Sequence, residues 1–313
     1  MYKRQLRALA GAPHCLQLKA ADARTAETRP AAPRGEPARE VFALVTEFAE
    51  YGDLFELIDA GGAFSEPAAK AIMRQLIAGL RAFDGRGVVA HRDLKPENLL
   101  VRGDGELVVA DFNLSAHSNV DDARTPERER RRRAAIHRDA LLNSACGSRS
   151  YMAPEVLSGA DAYLGPPADV WSAAVVLFTL LVGHPPFEEA SRRCWFFRKA
   201  CAEPGKAHLF WAAHAQTAAA AAPAAAGGVS DAARALLARA LAADPARRAT
   251  LDELARDAWF DGGAPELTPA ELHAEFARRA ALVPRIRGVR DALAARKIGG
   301  ESPRGVEDER YAG

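Results

Sequence analysis

The chain has 313 residues, 49% hydrophobic and 27% charged, a composition that can bury a core and excludes disorder along the whole length. Forty-two Lys plus Arg against 41 Asp plus Glu leave a formal charge of +1, so no global field directs the protein to nucleic acid or to an acidic membrane surface. Four cysteines, Cys15, Cys146, Cys194 and Cys201, form no CxxC pair. This excludes a disulfide scaffold and points to reduced thiols in an intracellular, cytoplasmic protein.

Lys3, Arg4 and Arg7 are followed by Ala, Gly, Pro and His rather than a clean apolar run, which does not read as a secretory signal. Residues 20–39 are rich in Ala, Pro, Arg and Thr with no apolar period, and are predicted to be an inserted loop. Residues 41–45, Val-Phe-Ala-Leu-Val, read as a buried strand that runs into Thr46, Glu47 and Phe48 and breaks at Gly52. A short helix is expected from about Leu54. Ser65-Glu66-Pro67 has the chemistry of a helix start. Ile72, Leu76, Ile77, Leu80 and Phe83 then recur on one face, and a stop is expected near residues 85–87.

Two apolar runs, 99–101 and 107–109, flank Gly103-Asp104-Gly105 and predict a β-hairpin. Residues 119–143 turn polar and basic, with Arg128 and Arg130–133 close together, and are expected to form a surface segment. The apolar stretch 170–182 falls short of the roughly 20 residues that cross a bilayer and reads as a buried helix. An aromatic stretch at 195–197, an Ala-rich linker at 218–228, a helix over about 230–241, and a polar tail with one helix over 269–282 complete the chain.

The polar clusters beside the two short apolar runs carry the chemistry. His91-Arg92-Asp93-Leu94-Lys95-Pro96-Glu97-Asn98 is followed in order by Asp111-Phe112-Asn113 and by Ala153-Pro154-Glu155. These segments resemble the catalytic loop, the metal-binding turn and the end of the activation segment of eukaryotic protein kinases. His-Arg-Asp alone would be an unremarkable polar turn, but eight contiguous matching residues and two further motifs in order are not. Phosphoryl transfer needs one carboxylate to orient and deprotonate a hydroxyl and one cation to offset charge on the moving group. A carboxylate plus an amide oxygen must hold Mg²⁺.

The resemblance implies that Asp93 is the base, Lys95 neutralises the γ-phosphate of ATP, and Asn98 and Asp111 ligate Mg²⁺. Lys two residues after Asp resembles the Ser/Thr-specific form, within the calmodulin-dependent and AMP-activated kinase-like groups. By the same resemblance Ser144 is the activation-loop phosphosite facing Arg92, open to an upstream kinase. Ser148 bridges Asp93 and Lys95, Asp169 holds the catalytic loop from beneath, and Glu155 pairs with Arg248. Residues 45–54 resemble the hinge between lobes. Thr46 then guards the inner pocket, the backbone of Glu47 and Ala49 meets adenine, Asp53 reaches ribose or a basic substrate residue, and Leu100 forms the floor.

The implied fold is α+β and protein-kinase-like, with a remnant of the small β lobe at 1–46, hinge and helical large lobe at 47–260, and a polar tail at 261–313. The implied partner is a protein substrate with Ser or Thr, with no nucleic acid and no membrane. Departures from the family pattern are clear. No GxGxxG and no VAIK-like lysine precede the hinge, and aligning 6–14 with the end of the small-lobe helix puts Tyr2 or Lys3 where its glutamate stands. The chain is therefore expected to be a truncated reading of a longer gene. Its first five residues back-translate to GTG TAT AAG AGA CAG, which matches a transposon-derived sequencing adapter. As it stands the chain would be a poor catalyst. The alternatives are a pseudokinase or interaction module, and a small-molecule phosphotransferase on a related fold; Ala153-Pro154-Glu155 with Arg248 argues against the latter. Asn113 stands where glycine is usual, and is expected to tolerate the left-handed backbone of that turn.

Overall fold

The structure is a computed structural model and describes residues 2–27, 39–83, 86–117, 141–142, 147–159, 163–203, 205–221 and 228–287. A short helix, α1 (Tyr2–Ala8), buries Leu6 in the main core, as does Leu9 in the turn after it, and leads to two antiparallel strands, β1 (Leu18–Glu27) and β2 (Arg39–Thr46). Their register runs from Leu18 opposite Thr46 to Glu27 opposite Arg39, with irregularities between Leu18 and Ala20 and between Asp22 and Thr25. The pairing corrects the expectation of a loop over 20–39, because strands occupy 20–27 and 39. A two-stranded ladder is built from backbone hydrogen bonds, so it extends into a stretch whose side chains show no alternation. Residues 28–38 lie outside the described residues.

Asp53 caps α2 (Leu54–Gly61) by accepting the Glu56 N–H, and Ser65 caps α3 (Glu66–Arg81) by accepting the Ala68 N–H. α3 buries Ile72, Leu76, Ile77 and Leu80 and stops at Arg81, ahead of the expected glycines. β3 (Val88–Ala90) pairs with β6 (Ala116–His117), and β4 (Leu99–Val101) pairs with β5 (Leu107–Val109) as the predicted hairpin. The expected basic segment, with Arg128 and Arg130–133, lies outside the described residues over 118–140 and 143–146. Between them β7 (Leu141–Leu142) pairs with β8 (Tyr163–Leu164).

After a short helix α4 (Pro154–Leu157), α5 (Gly165–Val182) runs through the middle of the core. Its 18 residues are apolar enough to cross a membrane by length and composition, longer than the stretch read from sequence. In that window 78% of residues are buried inside the protein, so core packing uses that surface. A single turn α6 (Trp195–Phe197) continues as a π-helical turn over Arg198–Ala202, followed by α7 (Ala207–Ala221) and α8 (Asp231–Ala240). α7 carries helix into the expected linker at 218–221, which alanine, the strongest helix former, explains. α9 (Leu251–Ala255) and α10 (Ala258–Asp261) follow.

The expected polar tail is built into the domain as far as it is described. α11 (Pro269–Ala280) starts on a reciprocal Thr268–Glu271 capping box and buries Leu272 and Phe276, four residues apart on one face. Phe276 meets the Phe64 ring edge-on at 6.1 Å.

Candidate active site

The site sits where the β4–β5 hairpin and the loops around it meet the N-terminal part of α5. Asp169, buried near the start of α5, accepts the backbone N–H of His91 at 2.7 Å and of Arg92 at 2.9 Å. These bonds hold Arg92 at φ +70°, a left-handed conformation that costs a non-glycine residue energy and so needs such support. Burial pushes the Asp169 carboxyl up to about 6, against the two N–H donors, which pull it down.

His91 is buried and its basicity is lowered, chiefly by desolvation. As a neutral imidazole it donates from Nε2 to the Ala110 carbonyl at 2.8 Å and accepts the Asp93 N–H on Nδ1 at 3.3 Å. One ring thus ties the loop that carries Asp93 to the strand end that carries Asp111. It also packs edge-on against Phe112 at 5.1 Å.

Asp93 is the convergence point. Lys95 Nζ lies 3.2 Å from Asp93 Oδ2 and donates to Ser148 Oγ at 2.8 Å. Ser148 donates to Asp93 Oδ1 from its hydroxyl at 3.2 Å and from its backbone N–H at 2.9 Å. Asn98 Nδ2 donates to the Asp93 carbonyl at 2.7 Å and to Oδ2 at 3.0 Å. Gly147 makes the Ser148 approach possible. It sits at φ +115°, and a Cβ there would stand 2.6 Å from the Arg92 carbonyl oxygen. Only the serine beside it was singled out from the sequence, although a glycine next to a motif residue is the signal that would have found it.

Asp111 adopts φ +55° and accepts the Asn113 N–H at 3.3 Å, so the left-handed residue of this turn is the aspartate. Asn113 is exposed in a 3-10 turn and has no positive φ. This corrects the expected strain at Asn113: the position does not ask for glycine. Because Asn98 spends its amide hydrogens on Asp93, its Oδ1 is turned away from that carboxylate. Among the described residues Asp111 Oδ2 accepts no hydrogen bond. An amide oxygen and a carboxylate oxygen are hard donors of the kind that suits Mg²⁺, an ion that takes few protein ligands and completes its shell with phosphate and water. No group of three His, Cys, Asp or Glu among the described residues could hold a metal by itself.

Around this centre, Arg248 has no exposed side-chain surface and forks onto Glu155 at 2.7 and 2.8 Å, donating also to the Pro167 and Ala242 carbonyls. Arg92 Nε donates to the Leu114 carbonyl at 2.5 Å. Ser144 lies outside the described residues.

In the segment that resembles a hinge, Thr46 ends β2 opposite Leu18, and the Glu47 N–H donates to the Gln17 carbonyl at 3.0 Å while its carboxylate accepts the Gln17 N–H. The Ala49 carbonyl accepts the Gly52 N–H in a tight turn. Among the described residues the Glu47 carbonyl and the Ala49 N–H make no hydrogen bond, which leaves one acceptor and one donor on the segment. Asp53 bridges to Leu100, and its carboxyl is raised chiefly by desolvation, with the Glu56 N–H opposing. Leu100 joins Leu16, Val108 and Ala110 in a small apolar cluster separate from the main core.

This geometry agrees with what is found among known proteins. The Protein kinase domain profile matches residues 36–260. The chain is 37% identical over 218 residues to "CBL-interacting serine/threonine-protein kinase 26" of Arabidopsis thaliana, covering 69% of this chain and 41% of that protein. It is 38% identical over 223 residues to "CBL-interacting protein kinase 16" of Oryza sativa subsp. japonica, covering 70% and 40%. To the "Probable myosin light chain kinase" of Dictyostelium discoideum it is 32% identical over 240 residues, covering 75% and 58%. The chain thus spans 40 to 58% of the length of these curated relatives. With a matched segment that takes in the hinge, the Asp93 loop, the Asp111 turn and the Glu155–Arg248 pair, the chain belongs to the protein kinase family.

Proposed function

We propose that the protein transfers the γ-phosphoryl group of ATP to a Ser or Thr hydroxyl of a protein substrate. The observation that carries this reading is the closed set of contacts among Asp93, Lys95, Ser148 and Asn98. Asp93 Oδ2 and Oδ1 are held by separate partners, so the carboxylate has one fixed orientation in which to accept a proton. The substrate hydroxyl oxygen attacks the γ-phosphorus, its proton passes to Asp93, and the bond from phosphorus to the β,γ-bridging oxygen breaks, releasing ADP. Lys95 supplies positive charge beside the transferred group without leaving hydrogen-bond range of Asp93.

Asn98 Oδ1 and Asp111 are the residues that would hold Mg²⁺, which when bound neutralises charge on the phosphates. The Glu47 carbonyl and Ala49 N–H offer one acceptor and one donor to the adenine edge, the Leu100 cluster its apolar floor, and Asp53 a partner for ribose. Thr46 bounds the pocket. Ser144 is the residue at which an upstream kinase would place a phosphate against Arg92. A near-zero net charge suits an intracellular enzyme whose partner is a protein rather than nucleic acid or membrane.

Calorimetric titration of ATP with and without Mg²⁺, on protein expressed from the full transcript, tests the reading. Wild type should bind ATP more tightly with Mg²⁺, and Asp111→Asn should remove most of that Mg²⁺ dependence. Affinity for ATP that is indifferent to Mg²⁺ in the wild type would contradict it.

A further inference from the structure

Three features tie α11 and the residues after it, which lie beyond the matched segment 36–260, to the hinge and to α2. His273 Nε2 and the Tyr51 hydroxyl are 2.8 Å apart, with the rings tilted at a centroid distance of 5.7 Å. Tyr51 is a hinge-exit residue: its N–H donates to the Val101 carbonyl, and the Val101 N–H donates to the Gly52 carbonyl, so this stretch is laced onto β4 next to Leu100. His273 also presses on the turn of the β4–β5 hairpin. A Cβ at Gly105, which has φ +82°, would stand 2.9 Å from His273 Cβ.

The second feature is at the far end of α2. Arg279 is 2% exposed and donates to the carbonyls of Leu57, Gly62 and Ala63 at 3.2, 2.6 and 2.9 Å. Its guanidinium lies 3.5 Å from the Phe64 ring centroid and is paired with Glu275 at 2.7 Å. A helix C-terminus presents unsatisfied carbonyls and negative dipole charge, and a buried guanidinium there answers both. The third feature is the ion pair of Arg287 with Glu56, in the first turn of α2.

α2 is thus gripped at both ends by one helix and the residues after it. The N-cap of α2 is Asp53, which bridges to Leu100. We infer that α11 is a clamp that sets the hinge and Asp53 for nucleotide, with His273 and Arg279 as positioning residues. The inference rests on the proposed nucleotide site. It extends that site to a part of the chain outside the matched domain, through residues that touch no nucleotide themselves.

The test compares wild type, Tyr51→Phe, His273→Ala, the double variant and Arg279→Met, all in protein expressed from the full transcript. Loss of the Tyr51–His273 bond should weaken ATP binding about threefold to tenfold, the worth of one hydrogen bond. The KM for ATP should rise with kcat little changed. The double variant should be no worse than His273→Ala alone, because that change already removes the bond that Tyr51→Phe removes. Amide hydrogen exchange should rise over 51–56 in His273→Ala and over both α2 and α11 in Arg279→Met.

Unchanged ATP affinity together with faster exchange over 51–56 would overturn the inference, since the clamp would then be structural only. Effects of Tyr51→Phe and His273→Ala that simply add would also overturn it. If wild type binds no ATP, the functional reading fails by itself. The clamp is then judged by exchange at 51–56, and unchanged exchange in His273→Ala overturns it.

Discussion

Replacing Glu155 by Gln should cost the protein about 3 kcal/mol of stability, and the structure shows why. Arg248 has no exposed side-chain surface, while Glu155 keeps 13% of its own. The pair is bidentate, at 2.7 and 2.8 Å. Glu155→Gln leaves one good acceptor, turns an amide N–H toward a guanidinium N–H, and strands a cation in the interior. Breaking a buried pair from one side costs about 3–5 kcal/mol. The Pro167 and Ala242 carbonyls at 2.8 and 3.0 Å, with the Trp171 ring at 5.1 Å, still face the cation and keep the loss near the lower end.

Arg248→Met removes the charge but leaves those two carbonyls without their donor, at about 1 kcal/mol each. It also removes the contact with Trp171, worth about 0.5–1 kcal/mol, and comes to a similar total. The double variant leaves neither a buried cation nor an unanswered carboxylate, so it should cost less than the sum of the singles by about 2 kcal/mol. Urea unfolding of the four proteins measures this, with an unchanged m-value as the check that all unfold in the same transition. A Glu155→Gln cost under about 1 kcal/mol, or costs that add, would refute the reasoning.

Three further outcomes follow from the site. Asp169 has its carboxyl raised by burial from 3.8 to about 6, so between those values the folded chain holds a proton that the unfolded chain has released. Wild-type stability measured against Asp169→Asn should therefore fall as pH rises through about 4 to 6, by about 3 kcal/mol in total, and level off above; a flat or rising difference in pH-dependent urea unfolding would contradict this. Ser148→Ala removes a hydroxyl that Lys95 and Asp93 share at 2.8 and 3.2 Å. It should lower kcat about fivefold to thirtyfold, with the backbone N–H contact to Asp93 retained, and an unchanged kcat would count against the bridge. Asn113→Gly should leave kcat within about twofold of wild type, because the exposed Asn113 is not in a left-handed conformation.

The catalytic loop was legible because the residues that meet at Asp93 lie within a few positions of it or in ordered motifs downstream. The β4–β5 hairpin was legible because its turn chemistry is local. Other features depend on partners far along the chain. β1 and β2 pair through backbone across residues that show no alternation, which leaves no side-chain period to read. Asn113 was judged by the residue usual at its position, whereas backbone geometry places the left-handed residue at Asp111. Arg279 has the sequence appearance of a charged helix face, and only folding shows that it fills the space at the end of α2. His273 and Tyr51 are 222 positions apart, and although Tyr51 lies in the hinge-like segment, His273 belongs to no motif that would single it out as its partner.

The measurement that bears most directly on the account is the initial rate of phosphate transfer from Mg²⁺-ATP to a Ser-containing protein substrate by protein expressed from the full transcript. Wild type is compared with Asp93→Asn, and ATP affinity is measured on the same samples. Wild type should transfer phosphate, while Asp93→Asn should lose at least about a hundredfold in rate and bind ATP with similar affinity. Equal rates in the two proteins, or no transfer by either despite normal Mg²⁺-ATP binding, would contradict it.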